Sequence, residues 1–149
     1  KKDATPAILE LLGKVQNKPI NSEADLLLKG QELLAKHAYI EASKVFIRII
    51  ESNPRSFQAF NGLGLVSWYF GKYDDAYILF RKAVETGPEN EDILLNVWDA
   101  AQMTGQSDDA RIVLQKALGK NPGMIKIKEL LEGWWKKVLS ILLSLTIEV

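Results

Sequence analysis

The sequence predicts an all-α fold, a solenoid of three antiparallel helix-turn-helix units with a further helix at each end. Three observations carry that prediction. A skeleton of small, apolar and proline residues returns every 34 residues, with Ala42, Ala76 and Ala110 one period apart and Pro54, Pro88 and Pro122 closing each copy. A fixed period of this size marks stacked supersecondary units. Within each copy, apolar residues recur at spacings of three and four, which is one face of a helix. Turn-forming residues break each copy once, near its middle. One such hairpin cannot bury its apolar face alone, so the copies must stack.

Residues 1–22 are expected to form an N-terminal capping helix and linker packed on the first repeat; the alternative is the tail of a degenerate upstream repeat. Thr5-Pro6 opens the helix with a cap and a proline at its first position. Ile8, Leu11, Leu12 and Val15 give it one apolar stripe, and Asn17-Lys18-Pro19 ends it. Asn21-Ser22 is placed to cap the next helix.

The first repeat spans 23–56 and carries Leu26, Gly30, Ala42 and Phe46. Lys29 stands where the later copies have Leu63 and Val97, which an end repeat tolerates because one of its sides has no neighbour. His37 lies in the turn, at the place of Gly71 and Gly105. With no carboxylate or second histidine at ligand spacing, it reads as a surface turn residue. The second repeat, 57–90, is the fullest. Phe60, Leu63, Gly64, Ser67 and Trp68 share one helix face, Gly71-Lys72-Tyr73-Asp74 breaks it, and Asp74 is the expected N-cap of the following helix. Gly64 and Ala76 should let the two helices approach closely, while Phe80 fills the gap to the neighbouring repeat. Thr86-Gly87-Pro88 stops the second helix.

The third repeat, 91–124, repeats the pattern with Leu94, Val97, Ala110, Leu114 and Ala117, but Trp98 replaces the small residue seen as Gly30 and Gly64. An indole at a close-packing site should push the two helices apart or turn toward the C-terminal segment. That segment, 125–149, reads as a capping helix with an apolar tail. Ile127, Leu130, Leu131, Trp134, Val138, Ile141 and Leu145 form one stripe, expected to lie on Val113, Leu114 and Ala117. Trp135, Leu139, Leu142 and Leu143 widen the apolar arc to well over half the circumference. They should face outward, more apolar surface than a soluble monomer usually shows in one patch, so a homodimer through this helix is expected. Residues 143–149 alternate like a strand, and the helix is predicted to end near Leu143.

Composition narrows the function. Nineteen basic residues balance nineteen acidic ones, so nothing suggests nucleic acid, whose binders usually show a basic face. The absence of cysteine excludes a thiolate zinc site and a disulfide framework. No apolar run reaches the length of a transmembrane span; 138–149 is too short. Trp134-Trp135-Lys136-Lys137 offers a weaker reading as a membrane-surface anchor. The first residue is lysine, which fits a trimmed or processed chain. The cytoplasm is the expected compartment, with the periplasm or another left open. One histidine and no cysteine leave no nucleophile pair or hydrolase triad to build. Gly62-Leu63-Gly64 lies inside a helix and lacks the lysine of a phosphate loop. Asp74-Asp75 and Asp108-Asp109 recur with the period at helix starts, where the helix dipole explains them. No catalysis, cofactor or metal is expected.

Phe60-x-x-Leu63-Gly64, then Ala76-x-x-x-Phe80, Ala83 and Pro88, with their shifted copies, resembles the tetratricopeptide repeat family over 23–124. In that family the first helix of each repeat lines a concave groove. Carried over by that resemblance, the groove residues are Ala24, Leu27, Gln31, Leu34 and Ala35; Gln58, Asn61, Leu65, Trp68 and Tyr69; and Asp92, Leu95, Asp99, Gln102 and Met103. The chaperone-binding branch places Lys, Asn and Arg there to clamp a terminal carboxylate, whereas this chain has Leu27, Gln31, Gly62, Asp92 and Asn96 at those places. The resemblance therefore implies a scaffold without chemistry of its own. Its ligand would be a peptide or protein segment with apolar anchors and at least one basic side chain. The alternatives are an accessory domain of a larger enzyme, of the glycosyltransferase kind, and an oligomerisation or membrane-surface module acting through the apolar tail.

Overall fold

The structure, a computed structural model, describes residues 22–147. The expected helix at 5–15 lies outside the described residues. Among the described residues seven helices follow one another: α1 (Glu23–Ala35), α2 (Tyr39–Ser52), α3 (Phe57–Tyr69), α4 (Tyr73–Thr86), α5 (Glu91–Thr104), α6 (Ser107–Lys120) and α7 (Ile125–Ile147). No strand occurs among the described residues. Turns of two or three residues join α1 to α2, α3 to α4 and α5 to α6, so each pair must run antiparallel.

Those turns need one residue with positive φ. Gly71 (φ 71°) and Gly105 (φ 72°) supply it, and His37 (φ 58°) supplies it in the first repeat. His37 is therefore a turn residue, as its place in the repeat predicts, held by a 2.6 Å hydrogen bond between its Nδ1 and the Tyr39 hydroxyl. Caps follow the sequence in part. Ser22 Oγ accepts the Asp25 N–H, and Asn90 Oδ1 accepts the Ile93 N–H, each at 3.1 Å. Asp74 does not cap α4. Lys72 holds the cap position and Asp74 lies inside the first turn beside Asp75. There the carboxylates act on the positive end of the helix dipole rather than on a single amide.

Three buried clusters hold the solenoid together, and each joins one helix pair to the first helix of the next unit. Phe46, Ala42 and Ile49 of α2 pack with Ala59 and Val66 of α3. Phe80, Ala76 and Tyr77 of α4 pack with Val97, Ala100 and Ala101 of α5. Leu114 and Ala117 of α6 pack with Ile127 and Leu131 of α7. Close approach within the units rests on glycine. A Cβ placed on Gly64 would lie 2.5 Å from the Phe80 ring, which leaves no room for one. Trp98, at the same repeat position, behaves as its size demands. The indole packs against both the second and third clusters, the latter of which includes Met124 and Ile127 of the C-terminal segment. Consistently, α5 and α6 approach less closely than α3 and α4.

The last helix departs from expectation at its far end. Its start is fixed by Glu91, whose carboxylate accepts the N–H groups of Lys126 (2.7 Å) and Ile127 (3.3 Å). Its near half packs as expected, with Ile127 and Leu131 buried and the Arg111 guanidinium over the Trp134 ring at 4.6 Å. The helix then continues to Ile147, past the predicted end near Leu143. A strand there would need a partner for its ladder, while a helix satisfies its backbone locally. With 23 residues against 14 in α5, the last nine or so overhang the solenoid by about 13 Å. Ile141 and Leu145, expected on the packed stripe, are consequently exposed. Trp135, Leu139, Leu142 and Leu143 are exposed as well, between 47% and 63%.

Candidate binding site between the second and third repeats

The repeat period puts the first helices of neighbouring units side by side, so residues 34 or so apart in sequence meet across the α3–α5 seam. Asn96 Nδ2 donates to Asn61 Oδ1 at 3.0 Å across it. One turn further along, Leu65, Trp68 and Tyr69 of α3 face Asn96 and Asp99 of α5, and Phe80 of α4 closes the floor. Together they line a recess of about 140 Å³. Trp68 is held by packing on the second cluster and by an edge-on contact with Tyr73 at 4.9 Å. Tyr69 stacks on Tyr39 of the first repeat, ring centres 4.7 Å apart. Both rings are thus fixed before any ligand arrives, which lowers the entropic cost of binding.

The recess carries one charge. Asp99 is exposed, yet the neighbouring atoms desolvate its carboxyl and push its pKa above the ordinary aspartate value. No cation pairs with it among the described residues. The arrangement offers apolar walls, an aromatic face and a carboxylate that gains from a positive partner.

Of the expected groove residues, Asn61, Leu65, Trp68, Tyr69 and Asp99 come together here. The others are committed elsewhere or stand apart. Asp92 pairs with Lys126 at 3.2 Å, Gln102 donates to the Ser107 hydroxyl at 2.9 Å, and Leu95 packs on the third cluster. Gln58 is exposed. In the first repeat Leu27 and Leu34 pack on their own core, and Ala24, Gln31 and Ala35 are exposed. Met103 lines a separate hollow with Gly71 and Tyr73.

Asn96, expected only as a place where the terminal-carboxylate clamp is missing, and Phe80, expected only as the filler between repeats, complete the recess. One feature escaped the sequence reading. On the opposite helices Asp109 of α6 accepts from both the Tyr77 hydroxyl and the Arg81 guanidinium of α4, and Arg81 also donates to the Tyr77 oxygen at 3.1 Å. Burial and the bond to Asp109 push the Tyr77 hydroxyl pKa up. This triad bridges the second and third repeats, so Asp109 serves the stack as well as its own helix start. Among the described residues no group of three or more His, Asp or Glu side chains could hold a metal, and no helix is long and apolar enough to cross a membrane.

A tetratricopeptide repeat family model matches residues 68–132. No curated protein matches the chain. Among solved structures, it is similar to YrrB, described as a TPR protein with an unusual peptide-binding site. The TM-score is 0.66 at 20% identity, covering 87% of this chain and 69% of YrrB. It is similar to the Yersinia enterocolitica type III secretion translocator chaperone SycD, solved as an alternative dimer. There the TM-score is 0.63 at 19% identity, covering 80% of this chain and 98% of SycD. The Thermobaculum terrenum O-GlcNAc transferase matches with a TM-score of 0.58 at 24% identity, over 71% of this chain and 20% of that enzyme. At these identities the likeness is one of fold. The periodic skeleton, the stacked helix pairs and the matching family model agree: residues 68–132 match the tetratricopeptide repeat family, and the chain has the fold of a tetratricopeptide repeat solenoid.

Proposed function

We propose that this chain is a non-catalytic interaction scaffold that binds a segment of another protein across the α3–α5 seam. The observation that carries the reading is the recess itself. It joins two fixed aromatic rings, an apolar floor and a carboxylate that no cation among the described residues pairs with, on neighbouring repeats. Such sites anchor a segment by one or two buried side chains, with the surrounding contacts excluding water. That YrrB is described as having a peptide-binding site supports the same use of the fold. The test is selection from a random twelve-residue peptide library displayed on phage, followed by titration of recovered peptides. Trp68→Ala should weaken binding by at least about tenfold while the helical circular dichroism signal persists. Peptides bound equally well by Trp68→Ala would overturn the site.

A second reading concerns assembly. The overhanging end of α7 leaves Trp135, Leu139 and Leu142 exposed among the described residues, and a second copy of the helix would cover them in a symmetric dimer. No charged residue lies between Val138 and Ile147, so nothing in that stretch opposes self-pairing. Light scattering on the intact chain should show a dimer at micromolar concentration, and Leu139→Lys with Leu143→Lys should return it to monomer. A monomeric intact chain would refute the dimer.

A further inference from the structure

We infer that the recess between α3 and α5 is a subsite for a basic side chain, lysine or arginine, of the bound segment. The inference rests on the scaffold reading above and narrows its ligand. A recess of about 140 Å³ holds the liquid share of about five waters, which suits one side chain and not a whole peptide. A purely apolar occupant would fill the space above Phe80 but would leave the Asp99 carboxylate further desolvated and without a partner, a net loss. A lysine or arginine satisfies both halves. Its alkyl stem lies along Leu65 and the aromatic walls while its head reaches the carboxylate, the usual division of such side chains. Trp68 and Tyr69 add the attraction of ring faces for a cation. Above the recess, the Asn61–Asn96 bond uses one donor and one acceptor, leaving an amide N–H on Asn61 and an oxygen on Asn96 for the backbone of an extended segment.

The site is particular to this seam. At the equivalent places between the first and second repeats stand Gly62 for Asn96 and Leu65 for Asp99, so no carboxylate is available there.

The probes are the phage-derived twelve-residue peptides whose binding depends on Trp68, resynthesised with each Lys or Arg replaced in turn by norleucine. One basic position should stand out, its replacement weakening binding about tenfold to the native chain. The same replacement should have little effect on Asp99→Asn, an isosteric variant whose melting curve verifies its fold. Trp68-dependent peptides with no such position, or a penalty that persists in Asp99→Asn, would overturn the inference and leave the scaffold reading standing. A library that yields no Trp68-dependent peptide would overturn both.

Discussion

Phe46 and Phe80 hold the same position in successive repeats, yet the seams they close differ. The Phe46 ring is gripped from both sides. A Cβ on Gly30 would lie 2.5 Å from it and one on Gly62 of the next unit 2.4 Å. Phe80 has glycine on one side only, Gly64, and on the other the next unit presents Asn96. The first seam is accordingly tight, with α1 and α3 in direct contact, while α3 and α5 stand further apart. A single exchange of glycine for asparagine at one repeat position thus accompanies the change from a closed seam to one with a recess. A closed and an open seam thus occupy successive copies of the same motif.

The largest expected effect breaks the knobs themselves. Phe46→Ala and Phe80→Ala should each cost about 3–5 kcal/mol, with Phe46→Ala the worse, because its ring is enclosed on both sides and its cavity can collapse less. Chemical denaturation would rank them, and a milder Phe46→Ala would show the first seam to be the looser. Next comes the exchange of the two seam residues. Gly62→Asn forces a side chain into the Phe46 ring and should cost about 1–3 kcal/mol. The reverse change, Asn96→Gly, removes the bond to Asn61 and should cost about 1 kcal/mol. Equal costs would mean that the seams do not differ as their geometry indicates.

The smallest effect is electrostatic. The folded-state pKa of Asp99 is raised by desolvation, so the folded chain holds that proton more tightly than the unfolded one. Stability is therefore lost as pH rises from the ordinary aspartate value of 3.8 through the raised folded value. Asp99→Asn should have the higher thermal midpoint at pH 7, and the gap should close as pH falls below 3.8. A gap that persists in acid would indicate a packing effect instead.

Most of the architecture was legible because it is written in periodicity. Ala42, Ala76 and Ala110 are fully buried, and the residue at each turn has the positive φ that the glycines at two of the three turns foretold. Asp74 was misread because the cap and the first turn favour the same residue type, and only backbone geometry separates them. Ile141 and Leu145 were misplaced for another reason. Periodicity names the face of a helix but not the length of its partner, and among the described residues nothing covers that face once α7 outruns the solenoid.

The sequence by itself therefore determined the number of units, their internal pairing and the small residues at which they touch, since these follow from local spacing and side-chain volume. The tertiary structure alone decided which groove residues meet. Asp92, Leu95 and Gln102 share a helix with Asp99, but an ion pair, a core contact and a hydrogen bond hold them elsewhere. Asp99 remains beside Trp68, without a partner among the described residues. The environment of a charge depends on neighbours a full repeat away, and no local pattern encodes that distance.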